Sequence, residues 1–149
     1  MRNRKKTVND FKMEIAARSV NESFCRAAVG AFAALCDPTV EELSDLKTAV
    51  SEAVTNCIVH GYKEKNGRIY IDAALLEGSV LRIRIRDKGC GIEDVSRAME
   101  PLFTTAGSER SGLGFTVMES FCDSLKVRSA PGRGTTVTLT KTITGKCDG

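Results

Sequence analysis

Apolar and polar residues alternate near the start of the chain: Phe11, Met13 and Ile15 fall on one side, Lys12 and Glu14 on the other. A period of two over residues 8 to 15 predicts a strand with one buried face. The spacing then changes. Val20, Phe24, Ala27, Ala28, Ala31 and Leu35 recur at three- and four-residue steps, which predicts an amphipathic helix capped by Ser19 or Asn21 and ending near Cys36-Asp37-Pro38. Asp37-Pro38 predicts a second helix start, because Asp can accept from free backbone N–H groups, Pro suits the first turn, and Glu41 and Glu42 favour the positive end. On that helix Leu43, Leu46, Val50, Ala53, Val54 and Cys57 form a stripe that runs to a helix end near Gly61.

Two alternating runs, Arg68 to Leu76 and Val80 to Arg86, flank Glu77-Gly78-Ser79 and predict a hairpin. In the second run Leu81, Ile83 and Ile85 alternate with Arg82, Arg84 and Arg86, so the arginines are expected on a solvated sheet face. A short helix is expected near Glu93 to Met99, then an aperiodic loop from Pro101 to Ser111. Gly112-Leu-Gly-Phe opens a further helix with Phe115, Met118 and Cys122 on one side, and Leu125 to Ser129 and Thr135 to Ile143 form a closing hairpin. The order predicts an α+β fold, one antiparallel or mixed sheet with helices packed on one face, and lacks the βαβ alternation of a doubly wound sheet. One domain is expected over 1–149, ordered from about 8 to 143 with flexible ends.

Composition narrows the class. The 149 residues are 42% hydrophobic and 28% charged, with 22 Lys plus Arg against 19 Asp plus Glu, a net +3. That balance, with two Tyr, six Phe and no Trp, argues against a dedicated nucleic-acid binder. The basic start Arg2 to Lys6 is followed by Asn9, Asp10, Lys12 and Glu14 rather than an apolar run, and no stretch matches a membrane span, so a cytoplasmic protein is expected, with no membrane partner. The six cysteines lie 11 to 33 residues apart beside a single His, a pattern of free thiols rather than a zinc site.

Four elements carry candidate chemistry. Glu52 and Asn56 share a helix face, where the carboxylate can accept a proton and the amide oxygen can ligate Mg²⁺. Asp87-x-Gly89-x-Gly91 follows a strand, where the Asp can accept from an exocyclic amine and the glycines allow close approach or positive φ. Ser111-Gly-Leu-Gly-Phe115 places glycines at a helix start, suited to phosphate, although no P-loop string is present. Gly132-Arg-Gly-Thr-Thr136 is a late bend rich in hydroxyls. Each alone also fits an ordinary surface or turn.

Taken together and in this order, the elements resemble the ATPase superfamily shared by gyrase, the heat-shock chaperone, histidine kinases and MutL. Asn21-Glu-Ser-Phe24, Asp37-Pro-Thr39, Ser51-Glu-Ala-Val-Thr-Asn56, His60-Gly-Tyr62, Pro101-Leu-Phe-Thr-Thr105 and Glu109-Arg-Ser-Gly-Leu-Gly-Phe115 resemble the anti-sigma F family of serine kinases from spore-forming bacteria, from about Phe11 to about Thr142. The resemblance implies a Bergerat-type α/β sandwich that binds ATP and Mg²⁺. It implies Glu52 as general base, Asn56 as Mg²⁺ ligand, and Asp87 on the adenine amine with Gly89 and Gly91 shaping that pocket. Thr105, Gly112, Leu113 and Gly114 would lie near the phosphates, Thr135 behind the adenine pocket, and residues 101 to 111 would form a lid. It further implies a homodimer, a sigma-F-type sigma factor as partner, an anti-anti-sigma protein as substrate, and partner contacts at Arg26 and Arg110. The segment Thr104 to Arg110 is about a residue shorter than in close relatives. A non-catalytic ATP-gated sigma-binding module and a kinase serving a stress sigma factor remain alternatives.

Overall fold

A computed structural model of the chain describes residues 5–100 and 113–145. Strand β1 (Thr7–Ala16) leads through a 3₁₀ turn (Ser19–Asn21) into α1 (Glu22–Ala34) and α2 (Val40–Thr55), which continues as a π-helical turn (Asn56–Gly61). Then come β2 (Arg68–Leu76), β3 (Val80–Asp87), α3 (Val95–Ala98), α4 (Phe115–Phe121), β4 (Ser124–Ala130) and β5 (Gly134–Thr142). The five strands form one sheet in the order β1-β2-β3-β5-β4, every neighbouring pair antiparallel.

The period-two pattern decides which side of the sheet is covered. Ile69 and Ile71 of β2, Leu81, Ile83 and Ile85 of β3, and Val137 and Leu139 of β5 are buried in one cluster with Leu46, Val50, Ala53 and Val54 of α2. Full burial of such a side chain contributes about 1.5–3 kcal/mol, and Leu46, Val50, Ala53 and Val54 fix α2 in that core. The arginines of β3 point the other way, as the alternation predicts.

Helix α1 departs from expectation. The stripe of Val20, Phe24, Ala27, Ala31 and Leu35 faces outward, with Val20 70%, Phe24 57% and Leu35 67% exposed. The buried face is Cys25, Val29, Gly30 and Ala33. These small residues let α1 lie close against α2: a Cβ on Gly30 would come within 3.2 Å of the Lys47 side chain. Periodicity counts apolar positions, whereas packing at short range selects narrow ones.

Both expected caps also differ. Asn21 makes no side-chain cap bond to α1, and its Nδ2 donates instead to the Ala16 carbonyl at 2.9 Å. Asp37 sits at φ +56, and Thr39 caps α2 in a reciprocal box, Glu42 N–H donating to Thr39 Oγ1 at 3.0 Å and Thr39 N–H to Glu42 Oε1 at 2.9 Å. The same carboxylate holds the chain beyond β5, accepting from Thr144 N–H at 2.8 Å, Thr144 Oγ1 at 2.6 Å and Gly145 N–H at 3.2 Å.

Partial burial opposes ionisation of Glu42, but the bonds from Thr144, Thr39 and Gly145 outweigh it and hold the carboxyl down at about 2, from an ordinary 4.5. A depressed folded-state value means stability that is fully present above the unfolded pKa and lost on acidification. Glu42→Ala should therefore cost about 1 kcal/mol or more at neutral pH through the lost cap. In urea melts the gap between wild type and variant should stay constant above pH ~5 and close between about 4.5 and about 2; a gap independent of pH would show that the bonds to the carboxylate are not its source.

Candidate functional site

At the C-terminal end of α2 a cleft opens against β3 and β5, floored by Ile85 and Val137 and walled by Asn56, Cys57, Asp87, Gly91 and Leu113. The α2 helix does not stop at Thr55. It widens into the π turn, with Tyr62 N–H donating to the Cys57 carbonyl at 2.9 Å, a rare geometry that recurs at functional sites. Asn56, Cys57 and His60 of this turn all line the cleft.

Asn56 Nδ2 donates to the Leu113 carbonyl at 2.5 Å. That bond joins α2 to the entry of α4 and leaves the amide oxygen as the donor atom available to a cation. One residue on, Gly114 adopts φ +66, and a Cβ there would lie 2.3 Å from Glu52 Oε1. Glycine is thus required twice, by the left-handed backbone and by the carboxylate packed against it. Four sequence-predicted residues, Glu52, Asn56, Leu113 and Gly114, meet at one point. Thr105, Gly112 and Arg110 lie outside the described residues.

Asp87 closes the other end of the cleft. It is 5% exposed, the one buried charged residue among the described residues, and its Oδ1 accepts Gly89 N–H at 2.8 Å. Burial raises its pKa above the ordinary 3.8, opposed by donors from Gly89 N–H, the Cys57 thiol and Thr135 N–H. Burial, and then the Asp87 charge and hydrogen bond, push the Cys57 thiol well above 9.0, so it stays a donor to the carboxylate. At Gly89 a Cβ would fall 2.2 Å from the Gly61 carbonyl oxygen, so the packing of the protein itself requires glycine there. The Gly91 Cβ would likewise fall 2.0 Å from the Ala130 carbonyl oxygen. Thr135 lines the cleft, with its hydroxyl 2.8 Å from Ser129 Oγ.

Three contributors lie outside the residues that the sequence pattern singles out. Cys57 reads as one more core residue of the α2 stripe. Ser129 Oγ accepts Ile92 N–H at 2.7 Å and donates to the Gly134 carbonyl at 3.0 Å, tying the cleft wall to the final hairpin. Tyr62 Oη donates to the Arg68 carbonyl and accepts Lys88 N–H, both at 2.7 Å, bracing the segment after Asp87 against β2. The last stands within the His60-Gly-Tyr62 string and could have been singled out there.

Arg26 lies outside the cleft but shares a second groove with Ser51 and Glu52. Its Nη1 donates to both Glu22 carboxylate oxygens at 2.9 and 3.1 Å and to Ser51 Oγ at 3.2 Å, linking α1 to α2 one residue from Glu52.

A raised folded-state pKa for Asp87 means that burying its charge costs stability, a cost relieved as pH falls through the raised value toward 3.8. Wild type should gain stability relative to Asp87→Asn as pH is lowered across that window. Parallel pH profiles in thermal melts would show that Asp87 is not held in a desolvated site.

Comparison with known proteins gives concordant matches. Residues 15–141 match the histidine kinase-like ATPase domain family. An anti-sigma F factor from a Thermoanaerobacter species is 54% identical over 136 residues, covering 91% of this chain and 94% of the relative. The anti-sigma F factor of Bacillus subtilis is 51% identical over 135 residues, covering 89% and 92% respectively. Among solved structures, that of the RsbU and RsbW domains of a Mycobacterium tuberculosis protein superposes with a TM-score of 0.65 over 91% of this chain at 20% identity. This chain spans 33% of that one, and the likeness is one of fold. No helix among the described residues is long and apolar enough to cross a membrane.

Proposed function

The chain belongs to the histidine kinase-like ATPase domain family and, with its curated relatives, to the anti-sigma F factors; from that premise we propose that it is a cytoplasmic serine protein kinase that also binds and restrains a sporulation sigma factor of the sigma-F type. Its substrate is a serine of an anti-anti-sigma protein, with ATP as phosphoryl donor. The observation that carries the kinase reading is the placement of the Glu52 carboxylate against Gly114, at the entry of α4 to which Asn56 of the cleft is bonded through Leu113.

Each residue then has a defined task. The Asp87 carboxylate accepts from the exocyclic amine of adenine, and its buried setting makes an unmatched base costly. The backbone at Gly112 and Gly114 receives the phosphates where α4 begins. Magnesium, which travels with the nucleotide, supplies charge neutralisation, and Asn56 fits it, since the bond to Leu113 occupies the amide nitrogen and leaves the oxygen. Glu52 takes the proton as the serine O–H bond breaks; the serine oxygen bonds to the γ-phosphorus while the bond to the ADP oxygen breaks. Positioning and charge stabilisation do most of the work in such transfers.

The partner reading rests on α1. An outward stripe of Val20, Phe24 and Leu35 is the kind of surface that a protein partner covers. We assign it to the sigma factor and to the second protomer of a homodimer.

Transfer of labelled γ-phosphate to a purified anti-anti-sigma protein tests the chemistry. Glu52→Gln should lose roughly 100-fold or more in rate while binding ATP as wild type does. A parallel loss of ATP binding would remove Glu52 from the role of base, and an absence of label in wild type that still binds ATP would favour the non-catalytic sigma-binding module.

Phe24→Asp should weaken sigma binding, dimerisation or both, with ATP binding intact. Unchanged sedimentation and unchanged sigma capture together would take α1 out of the interface.

A further inference from the structure

On the face of the sheet turned away from the helices, β3 presents Arg82, Arg84 and Arg86 and β4 presents Lys126 and Arg128. Between them β5 shows Thr136, Thr138 and Thr140. The register places Arg84, Thr138 and Lys126 in one line across the strands and Arg86, Thr136 and Arg128 in the next. With strands about 4.8 Å apart, the two cationic rows stand about 10 Å apart over a floor of hydroxyls, and charges within a row repeat about every 7 Å.

The resulting trough encloses about 590 Å³, and Asp72 is the one carboxylate among its described lining residues. None of the five cations belongs to an ion pair among the described residues, where the pairs are Arg26 with Glu22 and Arg68 with Glu14. Five cations against one carboxylate exceed the net charge of +3 of the entire chain. The rest of the surface offsets them, which is why bulk composition conceals the patch.

We propose that this trough docks an acidic, extended segment of a protein partner. Side chains on one side of an extended chain recur at the same spacing of about 7 Å as the arginines of β3, so alternate Asp or Glu residues each meet a guanidinium. Arginine pairs with carboxylates through two parallel hydrogen bonds, and the threonine hydroxyls can donate to carboxylates or backbone carbonyls that reach the floor. A second copy laid face to face sets cation rows against cation rows. Single-stranded nucleic acid would need stacking surfaces, and the aromatic residue of the trough, Tyr70, is already covered by Arg86 at 4.4 Å and Lys88 at 4.9 Å. The trough lies across the sheet from the Asp87 cleft, so its occupant leaves the cleft and α1 open.

Fluorescence anisotropy with a labelled dodecapeptide of alternating Glu and Ser tests the assignment. Wild type should bind it with an affinity that falls as salt is raised, and Arg84→Glu/Lys126→Glu should weaken binding by about tenfold or more. Lys63→Glu/Lys65→Glu makes the same change in net charge on exposed positions elsewhere and should leave most of the binding in place. Arg84→Ser/Lys126→Ser, a milder pair, should show the same loss if the reversed pair fails to fold, with ATP binding as the check on folding. The proposal is overturned by absence of peptide binding at low salt, by an equal loss in the Lys63/Lys65 variant, by tighter binding of an oligothymidylate of equal charge, or by sedimentation showing that the trough substitutions dissociate a dimer.

Discussion

A carboxylate that is 5% exposed has to find its hydrogen-bond donors inside the protein, and the segments that converge on Asp87 supply them. Gly89 N–H comes from the turn that follows β3, Thr135 N–H from the start of β5, and the Cys57 thiol from the widened end of α2. Three elements distant in sequence are thereby held in one place. The close backbone approaches of Gly89 to Gly61 and of Gly91 to Ala130 follow from the same requirement, because the donors reach the carboxylate only if the chains carrying them pass without side chains between them. The cleft is the space left by that convergence.

Helix α2 connects this constraint to the rest of the molecule. Its middle turns form the core, its last regular turn carries Glu52, its widened turn carries Asn56 and Cys57, and its groove with α1 holds Arg26. Glu52, Asn56 and Cys57 thus stand on successive turns of one element whose position is set by apolar packing. The basic trough stands apart, on side chains that the core never uses.

The strands, the α2 stripe and the pairing of Glu52 with Asn56 are legible in the sequence because each rests on a local period that burial reinforces. What escaped depends on shape or on distant partners. Both faces of α1 are apolar, and the choice between them is made by how narrow Cys25, Gly30 and Ala33 are against α2. Thr39 prevailed over Asp37 as cap because Glu42 stands three residues beyond it and returns the bond. The π turn leaves no mark in a pattern of apolar positions, and the role of Cys57 follows from the nearness of Asp87, thirty residues away in the chain. Charge counted along the sequence likewise misses the trough, whose cations come together only when β5 inserts between β3 and β4.

Glu42 joins two parts of the chain separated by 102 positions. The first turn of the helix that carries Glu52 shares its carboxylate with Thr144 and Gly145, beyond the last strand. As the chain leaves the ribosome, α2 emerges early with its own box from Thr39, but the second set of bonds must wait until the closing hairpin is complete. Such long-range closure comes late in folding, so the helix that bears the candidate base is fastened at its far end only when synthesis of the domain is essentially finished.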